Sequence, residues 1–451
     1  MNFSFLRTIG LHALLGVFMY YFRSFGDIYL VLILVYFFRK AANTSANHKP
    51  LIFLYGCAYV VSVEVLFRMS GGTIFYEASK YVIILFSLCG IYERGINVKS
   101  FAYIFYLFLL IPGVYITLYE VDYGLNVRKA IAFNLSGPYC LGIAAIFTFG
   151  LRISKKEMLN LLRHFLYPLI SILTYLFVFN PNVSEVVGGT GSNFSTSGGF
   201  GPNQVATVLG IAMFIMTIKF FYYSKNNFDK ILDLILFVLF SFRAIVTFSR
   251  GGVITAILMI LSFLFFLFLT TNGKQKRSIA ISGLVFVIVG YIIWSISTIQ
   301  TNGYIENRYA NENARGIKKE DISTGRSDLF AFELKEFVEN PFFGIGVGRV
   351  KQVRFERSGL HVASHNEMSR IIAEHGLLGL IAFSIILIVP LFFHLKHRRN
   401  IFFFPFYIFW FLTINHSSMR IAAPAFIYAL TLLNYTNENP TLHRQQAIAE
   451  E

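Results

Sequence analysis

Apolar run length constrains this chain more than any other feature. Between residues 8 and 434, apolar stretches recur at lengths near the ~20 residues that cross a hydrocarbon core. About fourteen such runs lie near 8–22, 27–39, 51–67, 79–93, 100–119, 129–151, 159–180, 202–223, 229–248, 252–271, 279–299, 369–393, 401–415 and 420–434. The first two are short, so the expected count is about 12 to 14. The runs do not alternate polar and apolar residues as barrel strands do. The fold class that follows is an all-α polytopic membrane protein. Composition agrees: of 451 residues, 55% are hydrophobic and 14% charged, against roughly 25% charged in a soluble domain.

The net charge of +15 is a matter of topology and implies no nucleic-acid partner. Basic clusters occupy alternate connections, at 39–49, 93–99, 151–157, 271–277 and 394–399. The positive-inside rule makes these cytoplasmic, together with both termini. Cys57, Cys89 and Cys140 lie inside runs and imply no disulfide framework. The N-terminal run lacks a small-residue cleavage site and reads as a retained span.

On the opposite face, residues 299–368 form a connection of roughly seventy residues, a length that is usually functional. Ser323 or Thr324 is expected to cap a helix carrying Leu329, Phe330, Leu334, Phe337 and Val338, ended by Asn340-Pro341. That amphipathic helix of about four turns lies on the bilayer surface or on the other spans. The connection 181–201 is rich in Gly and Ser and leads through Pro202-Asn203-Gln204 into a span. It reads as a flexible linker or as backbone N–H groups able to hold an anion.

Four stretches bring chemistry to this face. In FRAIVTFSRGG (242–252), Arg250 sits at a turn and Arg243 lies seven residues earlier, ~10 Å deeper on one helical face. The pair reads either as a basic stripe for a phosphate or as snorkelling plus an internal ion pair. Glu64 is a candidate partner for Arg243, although Arg68 is its nearer mate. In DISTGRSDLF (321–330), Arg326 stands at a helix N-terminus, where a cation opposes the helix dipole unless an anion meets it. In NPFFGIGVG (340–348), Gly344 and Gly346 shape a tight loop that a substrate can approach closely; no strand precedes it, so the dinucleotide reading fails.

The fourth stretch is GLHVASHNEMSRIIAEHGLLGL (359–380). His361, His365 and Glu367 invite a metal reading, but HVASHNE is not HExxH and no further ligands complete a sphere. A capping histidine or a general base remains, and neutral imidazole suits proton transfer from a sugar hydroxyl. If the helix is continuous from His365, then Ser369, Ile372, Gly376 and Gly379 form a stripe beneath it, either a packing face or a groove for a lipid tail.

Taken in order, Pro202-Asn203, Ser249-Arg250-Gly251, Thr324-Gly325-Arg326, Asn340-Pro341 with its glycine loop, and His365-Asn366 followed by Gly376 and Gly379 resemble the bacterial O-antigen ligases and O-antigen or exopolysaccharide polymerases. The resemblance covers residues 185–380. It implies a GT-C-like glycosyltransferase of the bacterial inner membrane with a periplasmic active site. The donor is a glycan on undecaprenyl diphosphate, and the acceptor is a lipid-linked repeat or lipid A core. No metal or other cofactor is implied; a chain-length regulator is a possible partner. Residue by residue, Arg250 and Arg326 bind the diphosphate and His365 deprotonates the attacking hydroxyl, with Asn203, Asn366, Gly344 and Gly346 in substrate binding. Arg243 is added to these from its position alone, as a contact to the carrier phosphates or a support that holds Arg250 in place. Displacement with one base implies inversion, and polymerase is preferred to ligase. A flippase for the same lipid would show internal repeats and interrupted helices near the midplane. A scaffold protein would have no use for Arg250, Arg326 and His365 on one face. The expected divisions are 1–180 (helices without a motif), 181–298 (helices with the glycine-rich loop and Arg250), 299–368 (periplasmic catalytic loop), 369–434 (C-terminal helices) and 435–451 (cytoplasmic tail).

Overall fold

The computed structural model describes residues 3–72, 76–120, 126–321 and 325–436. Each of the fourteen apolar runs contains helix. Among the described residues, 8 helices are long and apolar enough to cross a membrane. Others are shorter, down to Phe403–His416 and Ala423–Leu430. At 1.5 Å per residue the last of these rises ~12 Å, less than half a bilayer core. The chain continues from it as extended backbone, and Asn434–Thr436 pairs in parallel with Arg152–Ser154. That two-stranded ladder is an addition to the all-α expectation.

The chain forms two compact units, each discontinuous in sequence. The first comprises Met1–Asn43, Ala58–Tyr76 and Met158–Ile322; the second comprises Thr44–Cys57, Glu77–Glu157 and Ser323–Glu451. In the first, the Pro202–Ile218 helix is buried along nearly its whole length between the Asn227–Ile245 and Arg250–Thr270 helices. Small residues allow that approach: a Cβ on Gly252 would lie 2.6 Å from that of Ala206. The Gly273–Gln300 helix, by contrast, buries only Ile293 and Ser297, as expected of a helix with lipid on most sides.

In the second unit, the Glu367–Lys396 helix contradicts the continuous stripe. Its backbone is non-helical at Gly376 (φ 59°, ψ −137°), so Gly376 does not continue the face of Ser369 and Ile372. The glycine loop fills the break. Ile345 and Gly346 donate their N–H groups to the carbonyls of Ala373 and Glu374 (3.0 and 3.1 Å), and Leu377 N–H returns a bond to Pro341 O at 2.7 Å. A helix interrupted in lipid must have its freed backbone groups satisfied, and this loop satisfies them. A Cβ on Gly376 would lie 2.6 Å from Phe342 C and Pro341 O. The proposed groove is therefore packed protein.

The Arg326–Glu339 helix has the expected four turns, but its orientation is reversed. Its buried residues are Glu333 and Glu336, whereas Val338 is 73% exposed. The reason is electrostatic: Glu333 accepts from Arg354 (2.7 Å) and from Ser369 Oγ (2.5 Å), and a buried carboxylate is retained only where it is paired. Of the two places considered for this helix, it takes the second: it packs against another span, the Glu367–Lys396 helix, with Leu329, Phe330 and Phe337 half-buried. Ser323 and Thr324 lie outside the described residues; the residue preceding the helix is Gly325, with φ 79°.

Candidate active site

In the second unit, the segment entering the Glu367–Lys396 helix is held from several sides. Asn366 caps the helix, accepting the Ser369 N–H at 3.2 Å, and its amide donates to Asn415 Oδ1 at 2.9 Å. Arg354 donates to Val362 O (2.6 Å) and Arg420 to Ser364 O (2.9 Å). His365 sits between these anchors, half-buried, with no hydrogen-bond partner for Nδ1 among the described residues. Burial pushes its pKa down to about 4, helped by the nearby charges of Arg420, Arg326 and Arg354 and by His416. The ring is thus neutral at pH 7, fixed at its backbone, with Nδ1 buried and unpartnered among the described residues. Arg326 is the first residue of its helix and acts on His365 through space.

The charged residues of this stretch, Glu367, Arg370 and Glu374, are satisfied internally. Arg370 bonds Glu367, Glu374 (2.5 Å) and Asn134 O (3.1 Å), and Glu374 also accepts the Gly348 N–H at 2.8 Å. Two outer basic residues, Arg349 and Arg357, are paired too. Arg349 bonds Glu120, and Arg357 bonds Glu336 (3.0 Å) and Glu339 (2.5 Å). Gly344 and Gly346 do make a close backbone approach, but to the chain itself. A Cβ on Gly344 would meet Ala373 O at 2.5 Å, and one on Gly346 would meet Thr117 Oγ1 at 2.7 Å. His361 is exposed, with its ring edge on Phe355. Among the described residues, no group of three His, Cys, Asp or Glu side chains is placed to hold a metal ion.

The first unit holds Asn203, Arg243 and Arg250. Ser249 Oγ donates to Asn203 Oδ1 at 2.7 Å, which ties the Pro202-Asn203 and Ser249-Arg250 stretches together. Between Arg243 and Arg250 the helix ends at Ile245, and Phe248 adopts φ 60°, so the two arginines do not share one helical face. Arg243 is fully buried: its Nη2 donates to Leu176 O and Asn180 O (both 2.6 Å), and its guanidinium lies 4.2 Å from the Phe177 ring. It caps the end of the Lys155–Phe179 helix, where a cation complements the dipole. The two-step basic stripe is therefore absent. The ion pair expected instead for Glu64 is present, with Arg68 at 2.5 Å. The glycine-rich connection is ordered about Asn193, whose side chain accepts from Ser195 N–H (2.8 Å) and donates to Val186 O (3.1 Å).

Sequence reasoning overlooked several residues. Arg308 donates to Phe248 O at 3.2 Å, and together with Arg250 it acts on the Tyr309 hydroxyl, which has no hydrogen-bond partner among the described residues. Burial raises the Tyr309 pKa to about 12, so that hydroxyl remains a donor. Asn415 and Arg420 stand at the facing ends of the last two apolar runs. An arginine interrupting such a sequence was a readable signal, of the same kind that singled out Arg250.

Residues 235–384 match the family model described as O-antigen ligase (Wzy_C). The match includes Arg243, Arg250, Arg308, Arg326, the glycine loop and His365. No curated protein matches the chain significantly.

Proposed function

We propose that this chain, a multi-pass membrane protein with an O-antigen ligase family domain across residues 235–384, polymerises O-antigen or exopolysaccharide repeats. The donor is a glycan on undecaprenyl diphosphate, and transfer occurs at the periplasmic face of the inner membrane, with both termini cytoplasmic. The observation that carries the reading is His365: a neutral, half-buried imidazole with an unpartnered Nδ1, surrounded by cations at a capped helix head.

In the reaction, an acceptor hydroxyl attacks the anomeric carbon and its proton passes to His365. The bond from that carbon to the diphosphate breaks, and the electron pair leaves on the diphosphate oxygen. Attack opposite the leaving group inverts the anomeric configuration. Guanidinium groups stabilise the departing charge; Arg326 supplies one within reach of His365, and Arg250 in the first unit keeps the diphosphate-binding role that the resemblance gives it.

A base with pKa about 4 is weak, and the surrounding cations are the adjustable part of that value. A bound diphosphate offsets their field, so His365 becomes more basic once the donor is present. Proton abstraction is then favoured in the productive complex and disfavoured in the empty enzyme. The interrupted helix that a transporter would use to hold its substrate is filled by residues 341–348, which weighs against the flippase reading.

A second reading, ligation to lipid A core, is favoured by the matched family's own description. A deletion strain separates the two on a lipopolysaccharide gel. Core bearing a single repeat supports polymerase. Loss of the whole ladder with accumulation of lipid-linked polymer supports ligase. An unchanged ladder with loss of secreted polysaccharide identifies an exopolysaccharide enzyme. A retained anomeric configuration in the product removes the one-base mechanism.

A further inference from the structure

The first unit contains a cavity of about 500 Å³ that the reaction does not use, lined by Phe3–Tyr21, Phe25–Ala42, Lys49–Ser70 and Lys155–Phe179. Its size falls in the range of ligand pockets, about 300–1,000 Å³. The polar tips in its wall are largely engaged with one another. His12 Nδ1 bonds Thr8 O and its Nε2 bonds the Tyr59 hydroxyl, both at 2.9 Å, and Tyr59 in turn bonds the Tyr29 hydroxyl. The His12 ring stacks on Tyr167 at 5.3 Å between centroids. With those hydrogen bonds made internally, the wall offers ring faces, which suit a hydrocarbon chain better than a polar solute.

The charge is at one end. Lys40 lies in the last turn of the Phe25–Ala42 helix, its ammonium over the Tyr36 ring at 5.5 Å. From Tyr29 to Lys40 the helix rises ~16 Å, the length of a substantial part of an acyl chain. The side wall is open to the surroundings, with Leu32 and Tyr36 at the rim 50% and 55% exposed. Lys40 also belongs to the basic cluster at 39–49, on the face where anionic lipid headgroups gather.

We propose that this cavity is a binding site for an anionic phospholipid of the surrounding membrane, with one acyl chain against the His12–Tyr59–Tyr29 wall and the phosphate on Lys40. It is independent of the glycosyl-transfer reading, because none of its residues is assigned a part in that chemistry.

The test is native mass spectrometry of the full-length protein with phosphatidylglycerol or phosphatidylethanolamine of identical chains. One phosphatidylglycerol should be retained about fivefold more strongly than phosphatidylethanolamine, the effect of one lysine near a headgroup. Lys40→Gln should remove that preference and leave the weaker, charge-independent retention. Ile33→Trp, which fills the cavity, should abolish retention of both lipids; Leu32→Trp at the rim serves if the first variant does not fold. Equal retention of the two lipids by the unmodified protein overturns the proposal, as does an unchanged preference in Lys40→Gln. Undiminished retention in a folded cavity-filling variant overturns it as well.

Discussion

Two histidines ten residues apart, His365 and His375, share one defect: each has a buried Nδ1 with no hydrogen-bond partner among the described residues. Their surroundings separate them. His365 is half-buried at the head of its helix, between Arg354 and Arg420 contacts that fix the backbone on either side. His375 is 2% exposed, and a Cβ placed on Gly113 would lie 2.5 Å from its Nδ1. An unsatisfied buried nitrogen costs about 1–3 kcal/mol wherever it occurs. Around His365 part of the residue remains exposed where a substrate can approach; at His375 the protein has closed around the whole ring. The difference between the two is the exposure of the residue, not of the orphan atom.

The sharpest way to break this contrast is to change both rings. His365→Gln should lower kcat/KM for lipid-linked donor by about 10²–10⁴-fold, the usual worth of a general base, with its melting temperature little changed. His375→Gln should keep turnover close to that of the unmodified protein and register instead in thermal stability. Equal losses of turnover at equal stability would erase the distinction.

Next in size is the break in the helix. At φ 59° and ψ −137°, Gly376 holds a conformation that residues with a Cβ avoid, and the loop backbone occupies the space such an atom would need. Gly376→Ala should therefore cost about 2–4 kcal/mol from strain and overpacking together, seen as a lower melting temperature and poorer yield. A variant that melts like the unmodified protein would mean that the helix can close and the loop can leave. Arg243→Ala follows: it leaves the carbonyls of Leu176 and Asn180 unsatisfied and should cost about 1–3 kcal/mol of stability. The KM for donor should not move; a raised KM at unchanged stability would restore Arg243 to the substrate site.

The same contrast shows what the sequence could and could not disclose. Helix positions were legible because apolar run length is a local property, and each of the fourteen runs contains helix. The site stretches were legible as an ordered set of polar interruptions, including Ser249-Arg250 and His365-Asn366. What a side chain faces was not legible, because that depends on segments remote in sequence. Gly344, Gly346 and Gly376 carry a real signal of close approach, but nothing local says that the approaching backbone is protein and not ligand. Spacing of seven put Arg243 and Arg250 on one face only if the helix continued, and it stops at Ile245. The Arg326–Glu339 helix follows the same logic: its apolar pattern could not disclose that Arg354 and Ser369 claim Glu333 for the interior.

The smallest effect tests the electrostatics of the accessible histidine. The His365 pKa is lowered to about 4, chiefly by burial and then by cations led by Arg420. The neutral ring is the active base, so kcat/KM should hold from neutral pH downward and fall only as pH nears 4, well below the ordinary histidine range near 6.5. The fold is coupled in the same direction. Because the folded state resists protonating this ring, its contribution to stability is complete above pH 6.5 and is lost as pH falls towards 4. Arg420→Gln removes one repelling charge, so the pKa should rise and the acid limb should move up by about one pH unit. Arg420→Lys keeps the charge and should leave the limb in place. A limb that does not move in the glutamine variant, or that moves equally in both, would show that Arg420 positions Ser364 without setting the basicity of His365.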